Sequence, residues 1–292
     1  MRKLAVLVAA VVLGALAAGL AQSREPASQV LTGACAKANL TLVKSGQLTV
    51  GTDNPAFPPW FDGREKKGSV FKVSDPTSGN GYESAVAYEV AKRLGFGRSE
   101  VQWIVVPFGK SFAPGKKPFD FYLAQVSYKP VRAKAVSFSI SYYNVNQAVV
   151  GLKGKPITKV KTVAGLKPFK LGAPIGTTSY DYIAKYVKPS SKPSVFDTLN
   201  DAVTALKNGQ IDGLVVDFPS TGYITAVQVP TSTVVGRLPN QGVQEHFGLV
   251  FAKGNPLVAC ANKALAGMTA DGTLKRLEQQ WLAKAGGAPL LK

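Results

Sequence analysis

Apolar strand patterns alternate with helical patterns along most of this 292-residue chain, and this alternation restricts its fold more than any other feature. The strand patterns cover residues 47–52, 101–106, 119–123, 147–152, 170–175, 211–216 and 247–252. The helical patterns cover residues 83–94, 179–187, 197–208, 256–268 and 272–284. Such a chain predicts an α/β protein with largely parallel sheets, whose ligand site lies at the carboxyl ends of the strands.

The first 21 residues have the three parts of a secretory signal peptide. Arg2 and Lys3 precede an apolar stretch over residues 4–20, and Gly19 and Ala21 supply small residues for cleavage. An uncleaved membrane anchor is the alternative, although 17 apolar residues at about 1.5 Å each fall short of a comfortable span. We therefore expect an exported protein, in the periplasm or on the outer face of the cytoplasmic membrane.

The chain has two cysteines and one histidine, so it has no CxxC motif and no histidine-rich metal site. In an oxidising compartment we expect a disulfide between Cys35 and Cys260, which would place both ends of the mature chain in one lobe. Residues 31–35 also look a little like a lipobox, which leaves lipidation of Cys35 as an alternative. We predict no metal and no cofactor.

The formal net charge of +18 has two possible explanations. Nucleic-acid binding is one, but the lysines are scattered and no run of five like charges occurs. An anionic membrane or cell wall next to an exported protein is the simpler explanation, and we expect no nucleic-acid partner. The sequence Gly109-Lys110-Ser111 is not a phosphate loop, because the glycine five positions earlier is absent.

Two features could bind an anion such as a carboxylate. Gly176, Thr177 and Thr178 lie between a predicted strand and a predicted helix, where free backbone N–H groups and hydroxyls gather. The guanidinium of Arg132 is the natural bidentate partner of a carboxylate. The ordinary alternatives are a loop with a helix cap for the first and a surface residue for the second.

An acid and several aromatic residues could bind the rest of a ligand. Asp217 follows a buried strand pattern and could hold an ammonium group, although it could also cap the next helix. Phe57 and Trp60 follow the first strand, and Phe108 follows the next. These rings could pack around an apolar or cationic group, or they could belong to the core.

Five stretches together identify a resemblance. They are, in chain order, residues 51–53, residues 81–83, residues 119–121 with 130–139, residues 176–178 with 212–217, and residues 247–256 with 271–274. From about Leu48 to the C-terminus, the chain resembles the exported solute-binding proteins of polar amino-acid ABC transporters, bacterial family 3. Each stretch alone is a weak signal, but the set in this order is specific.

The resemblance implies a fold with two lobes, the type II periplasmic-binding-protein-like fold. Its ligand cleft lies between the lobes, which are joined by two crossover strands. On this basis lobe 1 comprises residues 22–145 plus 246–292, and lobe 2 comprises residues 146–245. The expected crossovers lie near residues 143–147 and 244–247.

The resemblance also implies roles for individual residues. Arg132, helped by Thr178 and its loop, would bind the α-carboxylate of an amino acid, and Asp217 would bind its α-ammonium. Other positions next to the ligand are Ser127, Gln125, Phe108, and either Phe57 or Trp60. Asp53 and Glu83 favour a cationic side chain. In place of the family's usual threonine before the proline of the arginine motif, this chain has Lys129.

The function that follows is the binding of a polar amino acid outside the cytoplasm and its delivery to an ABC transporter permease with its ATPase. We expect a monomer that is not an enzyme. The alternative is an enzyme on the same scaffold, resembling cyclohexadienyl or arogenate dehydratases. Such an enzyme would need a general acid in the cleft, and the candidates are Glu83 and Asp53.

Overall fold

A computed structural model describes residues 29–283 and 287–292. The predicted signal peptide, residues 1–21, lies outside the described residues. The strands are β1 (Leu48–Thr52), β2 (Val101–Val105), β3 (Phe121–Tyr122), β4 (Val136–Asn144), β5 (Gln147–Leu152), β6 (Leu171–Pro174), β7 (Ser194–Phe196), β8 (Gly213–Asp217), β9 (Ser232–Arg237) and β10 (His246–Ala252). The helices are α1 (Tyr82–Arg93), α2 (Phe108–Ser111), α3 (Pro130–Ala133), α4 (Thr178–Tyr182), α5 (Leu199–Lys207), α6 (Ser220–Tyr223), α7 (Leu257–Ala270) and α8 (Thr273–Trp281).

The strands form two five-stranded sheets, and each sheet with its helices makes one lobe. The strand order in lobe 1 is β2-β1-β3-β10-β4, and in lobe 2 it is β7-β6-β8-β5-β9. In each sheet the first three strands are parallel, and the last two run antiparallel to their neighbours. The sheets are thus mixed rather than largely parallel, because β10 in lobe 1 and β5 in lobe 2 run against the other four strands of their sheets.

The central strand β1 has neighbours on both sides, and all five of its residues are buried. Helix α1 packs in the same lobe and begins after Gly81, whose φ is +93°. A Cβ at Gly81 would lie 2.5 Å from the Cα of Phe61 and from the carbonyl oxygen of Trp60. Only glycine fits this close approach, so the Gly-Tyr-Glu motif keeps α1 against the aromatic-proline segment.

The chain crosses between the lobes twice at one edge of the cleft. Residues 145–146 connect β4 to β5, and residues 238–245 connect β9 to β10. The two crossing segments run side by side, since Asn144 pairs with His246 and the N–H of Val145 donates to the carbonyl of Glu245 at 3.0 Å. The first connection lies within the expected residues 143–147, whereas the second is longer and overlaps the expected residues 244–247 only at its end.

The predicted disulfide between Cys35 and Cys260 is confirmed, and it joins a short 3₁₀ turn (Gly33–Cys35) to α7 inside lobe 1. A sulfur bonded to Cys260 cannot also carry a lipid, so this bond contradicts the lipobox alternative. Within the described residues, no helix has the length and apolarity needed to cross a membrane.

The last described residues differ from the expected lobe boundary. Leu290 forms a parallel bridge with Arg237 of β9, and the N–H of Arg237 donates to the carbonyl of Pro289 at 2.7 Å. The side chain of Leu291 is 1% exposed and packs in the core of lobe 2. It fits there because β9 has a glycine at position 236, where a Cβ would lie 2.6 Å from Leu291. Residues 289–292 therefore belong to lobe 2 and form a third link between the lobes.

Candidate functional site

A cavity of about 400 Å³ lies between the two lobes. Lobe 1 contributes residues that follow β1, β2 and β3, and lobe 2 contributes residues at the ends of β6, β7 and β8. Its walls include residues 52–57, 107–109, 124, 125, 127, 132, 174, 175, 177–179, 197–200, 216, 217 and 220. The cavity is thus where the sequence predicted a ligand site, between the lobes at the carboxyl ends of strands.

Arg132 of α3 extends from lobe 1 to lobe 2. One terminal nitrogen (Nη1) donates to the carbonyl of Ser127 at 2.6 Å, and the other (Nη2) donates to the carbonyl of Gly176 at 2.7 Å. The guanidinium lies 4.3 Å from the ring centroid of Phe112 and 5.5 Å from that of Phe108. Burial lowers its pKa to about 10, which still leaves it charged at neutral pH. A buried cation fixed in this way is suited to binding a carboxylate.

The loop containing Gly176 lies opposite Arg132. Thr177 is the N-cap of α4, and its Oγ1 accepts from the N–H of Tyr180 at 3.2 Å while donating to the carbonyl of Pro174 at 2.7 Å. The hydroxyl of Thr178 lies 3.4 Å from that of Ser127 across the cleft. Thr177 therefore shapes the loop, whereas Thr178 faces both the cavity and lobe 1.

Asp217 is the last residue of β8 and lines the cavity. Its Oδ1 accepts from the Nε2 of Gln147 at 2.7 Å. The same Nε2 lies 3.2 and 3.1 Å from the two carboxylate oxygens of Glu245, which belongs to the second crossing segment. Burial, followed by the nearby negative charge of Glu245, raises the pKa of Asp217 above its usual range. Two acids thus share one amide at this edge of the cavity.

Asp53 lies in the cavity wall directly after β1. Burial raises its pKa, while hydrogen bonds from the backbone N–H groups of Asn54 and Phe108 act in the opposite direction. The hydroxyl of the neighbouring Thr52 is buried and has no hydrogen-bond partner. Across the cleft, the ring of Phe57 lies 6.3 Å from that of Tyr223. This part of the cavity combines an acid with aromatic walls, which suits a cationic group.

Glu83 is fully buried behind the cavity wall and does not line the cavity. Its Oε1 accepts from the backbone N–H of Gln125 at 2.7 Å and from the hydroxyl of Tyr142, and its Oε2 accepts from the amide of Gln125. Burial raises its pKa to about 7. Gln125 has a φ of +54°, so Glu83 supports a wall residue in a left-handed conformation.

Trp60 is 1% exposed and packs edge-on against Tyr82, Tyr143 and Phe247. Its indole Nε1 donates to the hydroxyl of Ser220 in lobe 2 at 2.8 Å. Trp60 does not line the cavity, so of the two aromatic candidates only Phe57 does. The role of Trp60 is to pack in lobe 1 and to contact lobe 2.

The structure brings most of the predicted residues together. The wall of the cavity includes Asp53, Phe57, Phe108, Gln125, Ser127, Arg132, Thr177, Thr178 and Asp217. Trp60, Glu83 and Gly176 lie outside the wall and contact it through hydrogen bonds. Sequence reasoning missed Gln147 and Glu245. The signal was their position, because both lie next to a predicted crossing, which has to run along the cleft.

Direct contacts hold the lobes together around the cavity. Lys129, which replaces the family's usual threonine, forms a salt bridge with Asp181 of lobe 2. Arg132, Trp60 and Ser127 also make the polar contacts to lobe 2 described above. These contacts join the two lobes next to the cavity.

Acids outnumber bases among the charged side chains that line the cavity. Within the described part of the chain, the cavity wall contains three acids, Asp53, Asp197 and Asp217, and one base, Arg132. Residues 29–283 and 287–292 contain no group of three or more His, Cys, Asp or Glu side chains placed to hold a metal ion. These charged groups are suited to a ligand that carries more positive than negative groups.

Comparisons with known proteins agree with this geometry. The model of the bacterial extracellular solute-binding proteins, family 3, matches residues 48–284. The ABC transporter arginine-binding protein 1 of Escherichia coli K12 is 30% identical over 171 residues, which are 56% of this chain and 67% of that protein. The L-cystine-binding protein TcyJ of the same organism is 27% identical over 240 residues, 81% and 82% of the two chains.

A solved structure extends the similarity to three dimensions. An ancestral arginine-binding protein bound to arginine has a TM-score of 0.65 and 29% identity, covering 82% of this chain and 99% of that one. The same comparison includes an ancestral arginine-binding protein bound to glutamine, with a TM-score of 0.64 and 29% identity over 81% of this chain and 97% of the other.

Proposed function

Because the chain belongs to the bacterial extracellular solute-binding proteins, family 3, we propose that it binds a free amino acid between its lobes and delivers it to an ABC transporter permease. The observation that carries the proposal is the cavity in which Arg132 of lobe 1 and Asp217 of lobe 2 face one enclosed space. A zwitterion has one charge for each of them. The proposed ligand contacts both lobes and so favours the closed arrangement over an open one.

We assign the α-carboxylate to Arg132 and the hydroxyl of Thr178, and the α-ammonium to Asp217. Arg132 is fixed by two carbonyl groups, so little side-chain freedom is lost when it binds an anion. Asp217 is held by the amide of Gln147. Ser127, between the two, completes the polar end of the site with its hydroxyl.

We further propose that the ligand carries a second positive group on its side chain. The support is Asp53, whose half-buried carboxylate lies in the cavity wall together with Phe57 and Phe108. Arginine and lysine have such a group, and cystine has one in its second ammonium. The N–H groups of Asn54 and Phe108 already donate to Asp53, but a neutral ligand side chain would leave its half-buried charge without a cation, which is costly.

The proposed partners are a membrane permease and its ATPase, which the family resemblance implies. The dehydratase alternative has less support. One of its two candidate acids, Glu83, lies outside the cavity wall with its oxygens occupied by Gln125 and Tyr142. Turnover of prephenate or arogenate by the pure protein would restore that alternative.

Calorimetric titration of the mature protein, freed of ligand by unfolding and refolding, tests the proposal. We expect L-arginine, L-lysine or L-cystine to bind at least about 100-fold more tightly than L-glutamate. Glutamate has a carboxylate where the site has Asp53, and like charges in a buried site repel. Failure of all the common amino acids and cystine to bind would overturn the proposed function.

A pair of variants tests the side-chain assignment. Asp53→Asn should weaken binding of the cationic ligand at least about tenfold while changing L-glutamine binding little, since a desolvated ion pair is lost in one case only. Asp62→Asn is the matched control, because Asp62 is an exposed acid of the next loop that does not line the cavity. Equal losses for both ligands would remove Asp53 from the side-chain site.

A further inference from the structure

We propose that Glu245 is the second acid of the ammonium site, and that Asp217 and Glu245 together hold one proton which the ligand's ammonium displaces. This inference rests on the proposed function and adds a residue to the same site. It predicts that amino-acid binding releases a proton. The argument rests on the geometry of one glutamine and on the charges around it.

The amide of Gln147 is fixed in orientation. Its Oε1 accepts from the hydroxyl of Ser179 at 2.6 Å, so its Nε2 points the other way, towards the acids. The Nε2 carries two hydrogens, and Asp217 Oδ1 lies at 2.7 Å. The oxygens of Glu245 at 3.1 and 3.2 Å compete for the remaining hydrogen. A single amide thus brings two carboxylates into one site.

Glu245 contacts both lobes as well. Its Oε1 accepts from the hydroxyl of Ser127 in lobe 1 at 2.5 Å, and Ser127 lines the cavity. The other contact is to Gln147, the first residue of β5 in lobe 2. Because Glu245 also lies on the segment that connects the lobes, a change in its charge acts on contacts that join lobe 1 to lobe 2.

The groups facing the pair leave it short of positive charge. Among the described residues, the charges that act on Asp217 are those of two acids, Glu245 and Glu83, and of one base, Arg132. Tyr142 and Tyr143 of β4 also face Asp217, but they remain neutral because burial raises the pKa of both hydroxyls.

The base available to the pair already has other partners. Arg132 donates to two carbonyl groups, and the nearby Lys129 is paired with Asp181. Two carboxylates with so little compensation cannot both ionise at low cost, so one proton is shared between them.

The ligand's ammonium supplies the missing charge. When it enters, it takes the place of the shared proton, and that proton passes to solvent or buffer. The total charge of the site is then unchanged, since one positive charge leaves as another arrives. Over the pH range in which the pair holds its proton, the ligand's affinity should rise up to about tenfold per pH unit.

The test is titration of the ligand-free mature protein with L-arginine at pH 7 in phosphate and in Tris buffer. The observed enthalpies should differ in proportion to the ionisation enthalpies of the buffers, corresponding to release of about half to one proton per arginine. Titrations between pH 6 and 8 should show the affinity rising with pH. L-Cystine and L-lysine are used in the same way if arginine does not bind.

Two neutralising variants identify the residue. Glu245→Gln keeps an acceptor for Ser127 and should reduce the released proton to less than half of the wild-type value. Asp62→Asn is the matched control, because it removes an exposed carboxylate that does not line the cavity. The control should release as many protons as the wild type.

The outcomes separate this inference from the proposed function. Tight binding without proton release would overturn the proton-sharing pair and leave the proposed function standing. Equal proton release from wild type and Glu245→Gln, or an equal loss in Asp62→Asn, would remove Glu245 from the site. No binding by arginine, lysine, cystine or any other amino acid would overturn both proposals.

Discussion

The indole nitrogen of Trp60 in lobe 1 donates a 2.8 Å hydrogen bond to the hydroxyl of Ser220 in lobe 2, although the two residues are 160 positions apart. Ser220 lines the cavity, and Trp60 lies in the aromatic core of lobe 1. The bond therefore connects the core of one lobe to the ligand site of the other, and it can form only when the lobes are close.

Replacing Trp60 by Phe should weaken ligand binding about five- to tenfold. The ring packing is largely kept, but the interlobe hydrogen bond, with a net contribution of about 1 kcal/mol, is lost from the closed form alone. Calorimetric titration with the best amino-acid ligand measures the change. Trp103→Phe is the control, because the Nε1 of Trp103 donates to Tyr88 within lobe 1. An equal effect in both variants would contradict the interlobe role.

Arg132→Lys should lose at least about 2 kcal/mol of binding free energy. A lysine has no planar fork, so it cannot donate to Ser127 and Gly176 and also bind a carboxylate bidentately. Direct titration gives the value, and we expect Asp217→Ala to lose a similar amount. Arg98→Lys, on the exposed surface of lobe 1, should bind like the wild type. Unchanged affinity in both Arg132→Lys and Asp217→Ala would refute the assignment of the two ends of the ligand.

The free energy of unfolding should depend on pH through the protonation of Glu83. Burial raises its folded-state pKa to about 7 from an ordinary value of 4.5, so the folded state holds this proton more tightly than the unfolded state. This proton contributes its full stabilisation of the folded state below pH 4.5, and the stabilisation is lost as the pH rises through about 7. Its size is on the order of 3 kcal/mol. Urea unfolding of wild type and Glu83→Gln between pH 4.5 and 8 measures the difference.

For Glu83, the wild type should lose stability relative to the variant as the pH rises. Glu65→Gln is the control. The N–H of Val73 and the ammonium of Lys72 donate to this exposed acid and lower its pKa, so the wild type should not lose stability relative to Glu65→Gln as the pH rises. A difference between wild type and Glu83→Gln that stays constant over this pH range would contradict the prediction.

Leu291→Ala should destabilise lobe 2 by about 2–4 kcal/mol, because a buried leucine is removed from a packed core. The adjacent Leu290 is 53% exposed, so Leu290→Ala should change stability by less than about 0.5 kcal/mol. Urea unfolding followed by far-ultraviolet circular dichroism measures both. Similar values for the two variants would mean that the terminal segment does not pack in solution as described.

Most of the fold was predictable because its central elements have clear patterns. Strand β1 is buried along its whole length, and α5 has a strong cap, where Thr198 and Asp201 bond reciprocally. Strands β4 and β9 were missed because they lie at sheet edges and are only partly buried, so their apolar residues do not alternate strictly. The pairing of Leu291 was missed because two leucines between a proline and a lysine are too few to show a periodic pattern.

The residues of the candidate site were predictable where they belong to a family motif, and less predictable where no motif contains them. Arg132 and Asp217 follow family motifs and line the cavity. Glu83 and Trp60 were expected to contact the ligand, but burial places them behind the wall. Glu245 lies in a polar crossing segment without a motif, and only the paired crossings bring it to Gln147, 98 positions away.

The contrast between the outside of this protein and its cavity has a kinetic consequence for a cationic amino acid. The chain carries a formal net charge of +18, whereas acids outnumber bases in the cavity wall. Long-range repulsion therefore slows the encounter, and salt relieves it because the Debye length is only about 8 Å at physiological ionic strength. The association rate of arginine should rise with added salt. Its dissociation rate should change little, because it depends on contacts inside the cleft that salt ions screen only weakly.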